Sequence, residues 1–89
     1  MGEYGLHYLR NKEKKEVDFL VSKNKKPWFL VEVKNSHEGL SKSLFDYQKL
    51  TKAPHAFQVV LDMEYEEGDC FTSSEPVVVP AKSFLSQLQ

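Results

Sequence analysis

The segment Trp28-Phe-Leu-Val-Glu-Val33 is apolar at every position but one. A short run rich in aromatic and β-branched residues marks a strand covered on both faces. A carboxylate inside such a strand is costly unless it has a partner or a task. Glu32 occupies that place, and Lys34 follows two positions later. The chain upstream has to supply neighbours for this strand. Glu16-Val-Asp-Phe-Leu-Val21 alternates, with Val17, Phe19 and Val21 on one face. Gly5-Leu-His-Tyr-Leu-Arg10 has strand-like aromatic and apolar content, and Asn11-Lys-Glu-Lys-Lys15 is a polar loop. Ser22-Lys-Asn-Lys-Lys-Pro27 is a turn punctuated by Asn24 and Pro27. The first third therefore reads as a three-stranded antiparallel meander.

A helix follows. Asn35-Ser36 breaks the strand pattern, Gly39 or Ser41 starts the helix, and Leu40, Leu44, Tyr47 and Leu50 form its expected apolar stripe. Pro54 closes it, because a residue before proline is pushed out of the α region. Ala56-Phe-Gln-Val-Val-Leu61 is a strand again. Residues 62–69 form an acidic loop, and Val77-Val-Val79 is a short strand or an extended segment. Pro80 suits the first turn of a last helix that carries Phe84, Leu85 and Leu88. The strand–helix–strand unit requires a crossover, so its two strands are expected parallel. The fold class is α/β: a mixed sheet of βββαβ order with a helix on at least one face.

The chain of 89 residues accommodates a single domain with a thin core. Its 28% charged and 40% apolar content is ordinary for a globular protein. No apolar run approaches the roughly 18 residues of a membrane span, and Met1–Arg10 has no signal-peptide core. Cys70, the only cysteine, has no disulfide partner within the chain. A reducing, cytoplasmic setting is the natural expectation. The net charge of −1 hides an asymmetry. Residues 1–52 carry eleven Lys/Arg against seven Asp/Glu, a balance of +4, whereas residues 53–89 carry one against six, a balance of −5. The basic half could face phosphate; solvated loop and edge lysines are the plainer account.

Asp18, Glu32 and Lys34 are the candidate chemical residues. With residues 23–27 as the loop, Ser22 faces Trp28 and Asp18 falls opposite Glu32. Opposed residues have Cβ atoms roughly 4.5–5.5 Å apart. Lys34 shares the Glu32 face, because the strand period is two. Two carboxylates that close repel unless a positive charge separates them, and a divalent cation does this naturally. Mg²⁺ takes one or two carboxylates, carbonyl oxygens and water. Asp18, Glu32 and the Val33 carbonyl would be its ligands, with Lys34 beside the attacking water and the phosphate. A charged sheet face with Lys34 as a salt-bridge partner accounts for the same residues without catalysis.

The set Tyr8-Leu-Arg10, Glu16-Val-Asp-Phe-Leu-Val21, Leu30-Val-Glu-Val-Lys-Asn-Ser36 and Val77-Val-Val-Pro80 with Phe84-Leu85 resembles a C-terminal domain of unknown function of archaeal-type AAA+ ATPases. The resemblance runs over residues 6–88. That domain is similar to the PD-(D/E)XK, or restriction endonuclease-like, core of αβββαβ topology. The resemblance implies that residues 1–89 form one such domain, lacking the core's first helix, as a C-terminal fragment of a larger ATPase-type protein. It implies metal ligands at Asp18 and Glu32, a catalytic lysine at Lys34, and Mg²⁺ or Mn²⁺ as cofactor. The expected activity is metal-dependent hydrolysis of DNA or RNA. The alternative is a non-catalytic accessory or oligomerisation module of the ATPase. The implied partners are nucleic acid and either a second copy of the chain or the ATPase portion, with no membrane. No GxxxxGK[ST] phosphate loop occurs, so no nucleotide site is expected in the chain. Glu3, the one acid before the first strand, is poorly placed to replace a ligand from that helix.

Among the remaining residues, His7, His37 and His55 lack zinc-site spacing. Tyr47 is expected in the core and Gln48 in solvent. Trp28 is expected to anchor a sheet face through its large apolar surface. Ser41 and Ser43 lack the setting of a serine nucleophile.

Overall fold

In the computed structural model, which describes residues 3–8, 17–36 and 39–88, five strands form one sheet in chain order. β1 (Tyr4–Tyr8), β2 (Phe19–Lys23) and β3 (Lys26–Lys34) pair antiparallel. Helix α1 (Lys42–Thr51) then crosses to β4 (His55–Val60), which lies parallel to β3. β5 (Val77–Pro80) lies parallel to β4 and runs directly into helix α2 (Ala81–Ser86). The order is thus βββαββα: the Val77–Val79 segment is a true strand, and the expected tail adds a helix. Leu9, Arg10, the Asn11–Lys15 loop, Glu16 and His37 lie outside the described residues.

The β2–β3 turn is tighter than the sequence suggests. It has two central residues, Asn24 and Lys25, both at positive φ (54° and 67°). This is the backbone of a type I′ hairpin, whose twist matches that of the flanking strands. Ser22 consequently faces Pro27 rather than Trp28. A register shift between Val21 and Ser22 absorbs the one-residue difference, and beyond it Val21 faces Phe29, Leu20 faces Leu30 and Phe19 faces Val31.

The two faces of the sheet bury different material. On one, Phe29, Val31, Phe57, Val59, Val79, Ala81 and Phe84 form the larger core, flanked by Phe19, Val21, Trp28, Cys70 and Phe71. Its rings meet edge to face: Phe57 lies 4.9 Å from Phe71, and Phe29 lies 5.8 Å from Phe84. Such aromatic pairs contribute about 0.5–1.5 kcal/mol each beyond area burial. Trp28 stacks on Phe71 at 5.4 Å and fills the anchoring place expected of it. The other face packs Val17, Leu30, Leu44, Ala53 and Ala56 beneath α1.

Helix α1 starts at Ser41, whose Oγ accepts from the Leu44 N–H at 3.2 Å. It ends at Lys52 in the left-handed region, with the Lys52 N–H donating to the Gln48 carbonyl. The apolar stripe departs from expectation. Leu44 is buried and Tyr47 half-buried, but Leu40 lies before the cap and Leu50 is 76% exposed. At about 100° per residue, Leu50 stands some 120° around the helix from Leu44, while Thr51 returns to the same line. Of the three apolar residues expected to anchor the last helix, Phe84 is buried, beside Ala81 and Ser83, whereas Leu85 and Leu88 are exposed. Gln48 is not a solvated residue, since its Nε2 donates to the carbonyls of Ala53 (3.1 Å) and Ser74 (2.7 Å). It ties the end of α1 to the strand that follows and to the segment before β5. No helix among the described residues is long and apolar enough to cross a membrane.

Candidate functional site

Glu32 lies near the end of β3, on the face covered by α1, and is fully buried (0% exposed). A carboxylate there requires partners, and three elements supply them. The Ser41 hydroxyl, at the start of α1, donates to Oε2 at 2.6 Å. The Lys34 ammonium, two residues along β3, stands 3.4 Å from Oε1. Oε1 itself is buried and meets no hydrogen-bond donor among the described residues. Ser41 is thus shared: the same Oγ caps the Leu44 N–H and holds the carboxylate.

The third partner acts at one remove. Gln58 of β4 stands directly beside Glu32 in the parallel ladder and is equally buried. Its Oε1 accepts from the Ser41 N–H at 3.0 Å, and its Nε2 donates to the Gly39 carbonyl at 2.6 Å. Gly39 has φ +87°, a conformation that glycine takes without a side-chain penalty. The result is a continuous chain of polar contacts from Gly39 through Gln58, Ser41 and Glu32 to Lys34.

Asp18 lies just before β2. Its N–H donates to the Val31 carbonyl at 2.9 Å, and its carboxylate Oδ2 accepts from the Val33 N–H at 2.6 Å. Simple alternation from Leu20 would place Asp18 on the α1 face. Val17, however, is itself buried on that face, so alternation breaks between the two. The Asp18 carboxylate therefore meets the Glu32 strand through the Val33 backbone. In a strand, the N–H and C=O of one residue lie along the same edge, so the Val33 carbonyl is turned toward the Asp18 side. The next carbonyl, of Lys34, points the other way and accepts from the Leu61 N–H. Glu3 lies at the hairpin turn, where its N–H meets the Asn24 side chain, at the far end of β3 from Glu32.

Glu32 and Lys34 were marked by charge inside an apolar strand, and the structure brings them together. Gln58 carried the same signal, one polar residue within Ala56–Leu61, and sequence reasoning passed over it. The double duty of Ser41 had no signal beyond its suitability as a cap. Among the described residues, no three His, Cys, Asp or Glu side chains cluster as a metal-holding group. An oxygen site here would rest on two carboxylates and a carbonyl.

A mixed α/β sheet with a carboxylate and a lysine held at the start of its crossover helix defines the general class. The family comparison makes it particular: residues 2–84 match the model of a domain of unknown function (DUF4143), and the chain belongs to that family. Domains of this family often stand C-terminal to AAA-type ATPase modules. Comparison with curated proteins and with solved structures gives no match.

Proposed function

We propose that this domain is nuclease-like, resembles metal-dependent phosphodiester hydrolases of DNA or RNA, and is built on a PD-(D/E)XK-type core. The observation that carries the reading is the buried Glu32 Oε1, which meets no hydrogen-bond donor among the described residues and faces an ammonium group. A buried oxygen in that state suits a cation. Glu32, Asp18 and the Val33 carbonyl offer the hard oxygen donors that Mg²⁺ or Mn²⁺ prefers. Such an ion, when bound, stabilises charge developing on a phosphate and promotes ionisation of the attacking water. The protein's own residues have separate tasks. Ser41 fixes Oε2 and so leaves Oε1 as the free corner of the carboxylate. Lys34 balances the Glu32 charge and, once a cation takes that role, can turn to the phosphate oxygens. Asp18 links the edge of β2 to Val33.

A second reading has its own observation. Glu32 is entirely covered and its Oε2 holds the first turn of α1, which is what a helix-docking latch would do. On that reading the domain is a non-catalytic accessory module of an ATPase. The exposed row Tyr4, Leu6 and Tyr8 along β1 supports a partner, either a second copy of the chain or the ATPase portion.

The test is cleavage of single- and double-stranded DNA and RNA with Mg²⁺ and Mn²⁺, by the wild-type chain and by Glu32→Ala and Lys34→Ala. Metal-dependent turnover abolished by both substitutions supports the nuclease reading. No turnover by a folded wild-type chain supports the accessory one.

A further inference from the structure

We propose that Gln58 is a positioning residue for Glu32, acting through Ser41 to fix which carboxylate oxygen is left open; this rests on the reading of Glu32 as a cation ligand. Gln58 is fully buried and uses both ends of its amide on one short stretch of backbone. It accepts from the Ser41 N–H and donates to the Gly39 carbonyl, two residues apart. Only a side chain with a donor and an acceptor on one planar group answers both. A carboxylate at the same position would lack the donor, and an apolar side chain would leave two buried backbone groups unpaired, which is the costly outcome.

The clamp has a direct consequence for Glu32. The Gln58 bond to its N–H fixes the Ser41 backbone, and the Leu44 N–H fixes its Oγ. The hydroxyl proton is donated to Glu32 Oε2 at 2.6 Å. With Oε2 committed, the carboxylate cannot rotate freely, and Oε1 is held toward Lys34. Gln58 touches neither Glu32's carboxylate nor Lys34 by any hydrogen bond, yet it determines the orientation of the first and, through it, the environment of the second. Helix capping alone does not need this arrangement, since Ser41 Oγ can cap Leu44 whatever its proton does.

The test uses the full chain and two readouts. One is Mn²⁺ affinity by electron paramagnetic resonance. The other is the side-chain carboxyl carbon resonance of Glu32, read at fixed pH without metal. Gln58→Met keeps the volume and removes both bonds. The expected result is a displaced Glu32 resonance and Mn²⁺ binding weakened about 10–100-fold, as when a ligand's supporting partner is lost. A folded Gln58→Met chain with the wild-type resonance overturns the proposal. If the wild-type chain binds no Mn²⁺, the cation reading fails, and positioning is decided by the resonance alone: displacement sustains it, identity with wild type overturns it. If Gln58→Met does not fold, the pair Ser41→Thr and Ser41→Ala decides. Retention of the resonance by Thr and displacement by Ala sustains the relay, and equal behaviour of the two overturns it.

Discussion

The two faces of this sheet are built from the same strands and solve different problems. The face under α2 is closed by rings, with Phe29, Phe57 and Phe84 in mutual contact and Phe71 and Trp28 at the margin. The face under α1 starts in the same way, with Leu30, Leu44 and Ala56, then admits Glu32, Gln58 and Lys34 beside Val60. Burying those groups gains little stability even when each is satisfied, because desolvation offsets most of what the contacts return. One face therefore supplies the cohesion of the domain, and the other spends part of it to hold a carboxylate in one orientation.

The largest effect that could break this contrast is on the ring-packed face. Phe57 has no exposure and contacts three other Phe rings, so Phe57→Ala should cost about 3–5 kcal/mol and leave a chain this small largely unfolded. Circular dichroism during urea unfolding would measure it. A loss below about 1.5 kcal/mol would mean that the aromatic face is not the main source of cohesion, since even modest core truncations exceed that.

The α1 face should respond differently, and a paired measurement sharpens the point. Glu32→Leu alone breaks the Glu32–Lys34 pair. Breaking a fully buried pair costs about 3–5 kcal/mol, and the 22% exposure of the lysine side chain should reduce this to about 2. The double change Glu32→Leu with Lys34→Met should recover most of that loss or exceed wild type, as apolar replacement of buried ion pairs often does. Recovery would show that the pair is kept for something other than stability. A double variant as unstable as the single would make Glu32 a structural latch.

The contrast also explains what could be read from sequence. The meander, the crossover helix and the parallel β3–β4 pair follow from alternation and from Pro54, which are local signals. The register of β2 on β3 from Phe19 to Val21 is the expected one although the turn is not, because a bulge at Val21–Ser22 makes up the missing residue. Nothing in Ser22-Lys23 announces that bulge. In α1 the pattern of leucines misled: Leu50 belongs to no buried line, and Thr51 takes the place beside Tyr47. At the site, charge inside an apolar strand marked Glu32 and Lys34. The contacts of Asp18 with Val31 and Val33 depend on where alternation breaks near Val17, and that break is a tertiary outcome. Gln58 was visible by the same rule as Glu32, but its role depends on the loop that the parallel neighbour brings over it.

A smaller effect probes whether the α1 side carries strain in its backbone as well as in its charges. Lys52 closes α1 with φ 61°, where a side chain is disfavoured by roughly 1–2 kcal/mol. Lys52→Gly should raise stability by up to about 1 kcal/mol, since glycine removes the steric penalty and adds freedom to the unfolded chain. The urea midpoint should rise with an unchanged slope. A fall would mean that the lysine side chain contributes more than its backbone costs.

The smallest expected effect tests how tightly the ring-packed face is sealed at its margin, where Cys70 sits beside Phe71. Burial raises the Cys70 thiol above its ordinary range, the neighbouring Asp69 carboxylate raises it further, and a backbone hydrogen bond pulls it partly back. The thiolate is the reactive form, so a disulfide reagent at pH 8 should modify the folded chain more slowly than the urea-unfolded one. Asp69→Asn should speed the folded reaction modestly. It removes the charge while keeping an oxygen for the Phe71 N–H that Asp69 now accepts at 2.9 Å. The linkage has a definite sign. A thiol whose folded pKa is raised adds stability below its unfolded pKa, about 8.5, and that contribution is lost as pH rises through the folded value. Stability attributable to Cys70 should thus be flat through neutrality and decline in alkali, and Cys70→Ser should flatten the alkaline limb. Equal modification rates for folded and unfolded chains would show that the aromatic face opens at this edge, and the contrast between the two faces would then hold only at their centres.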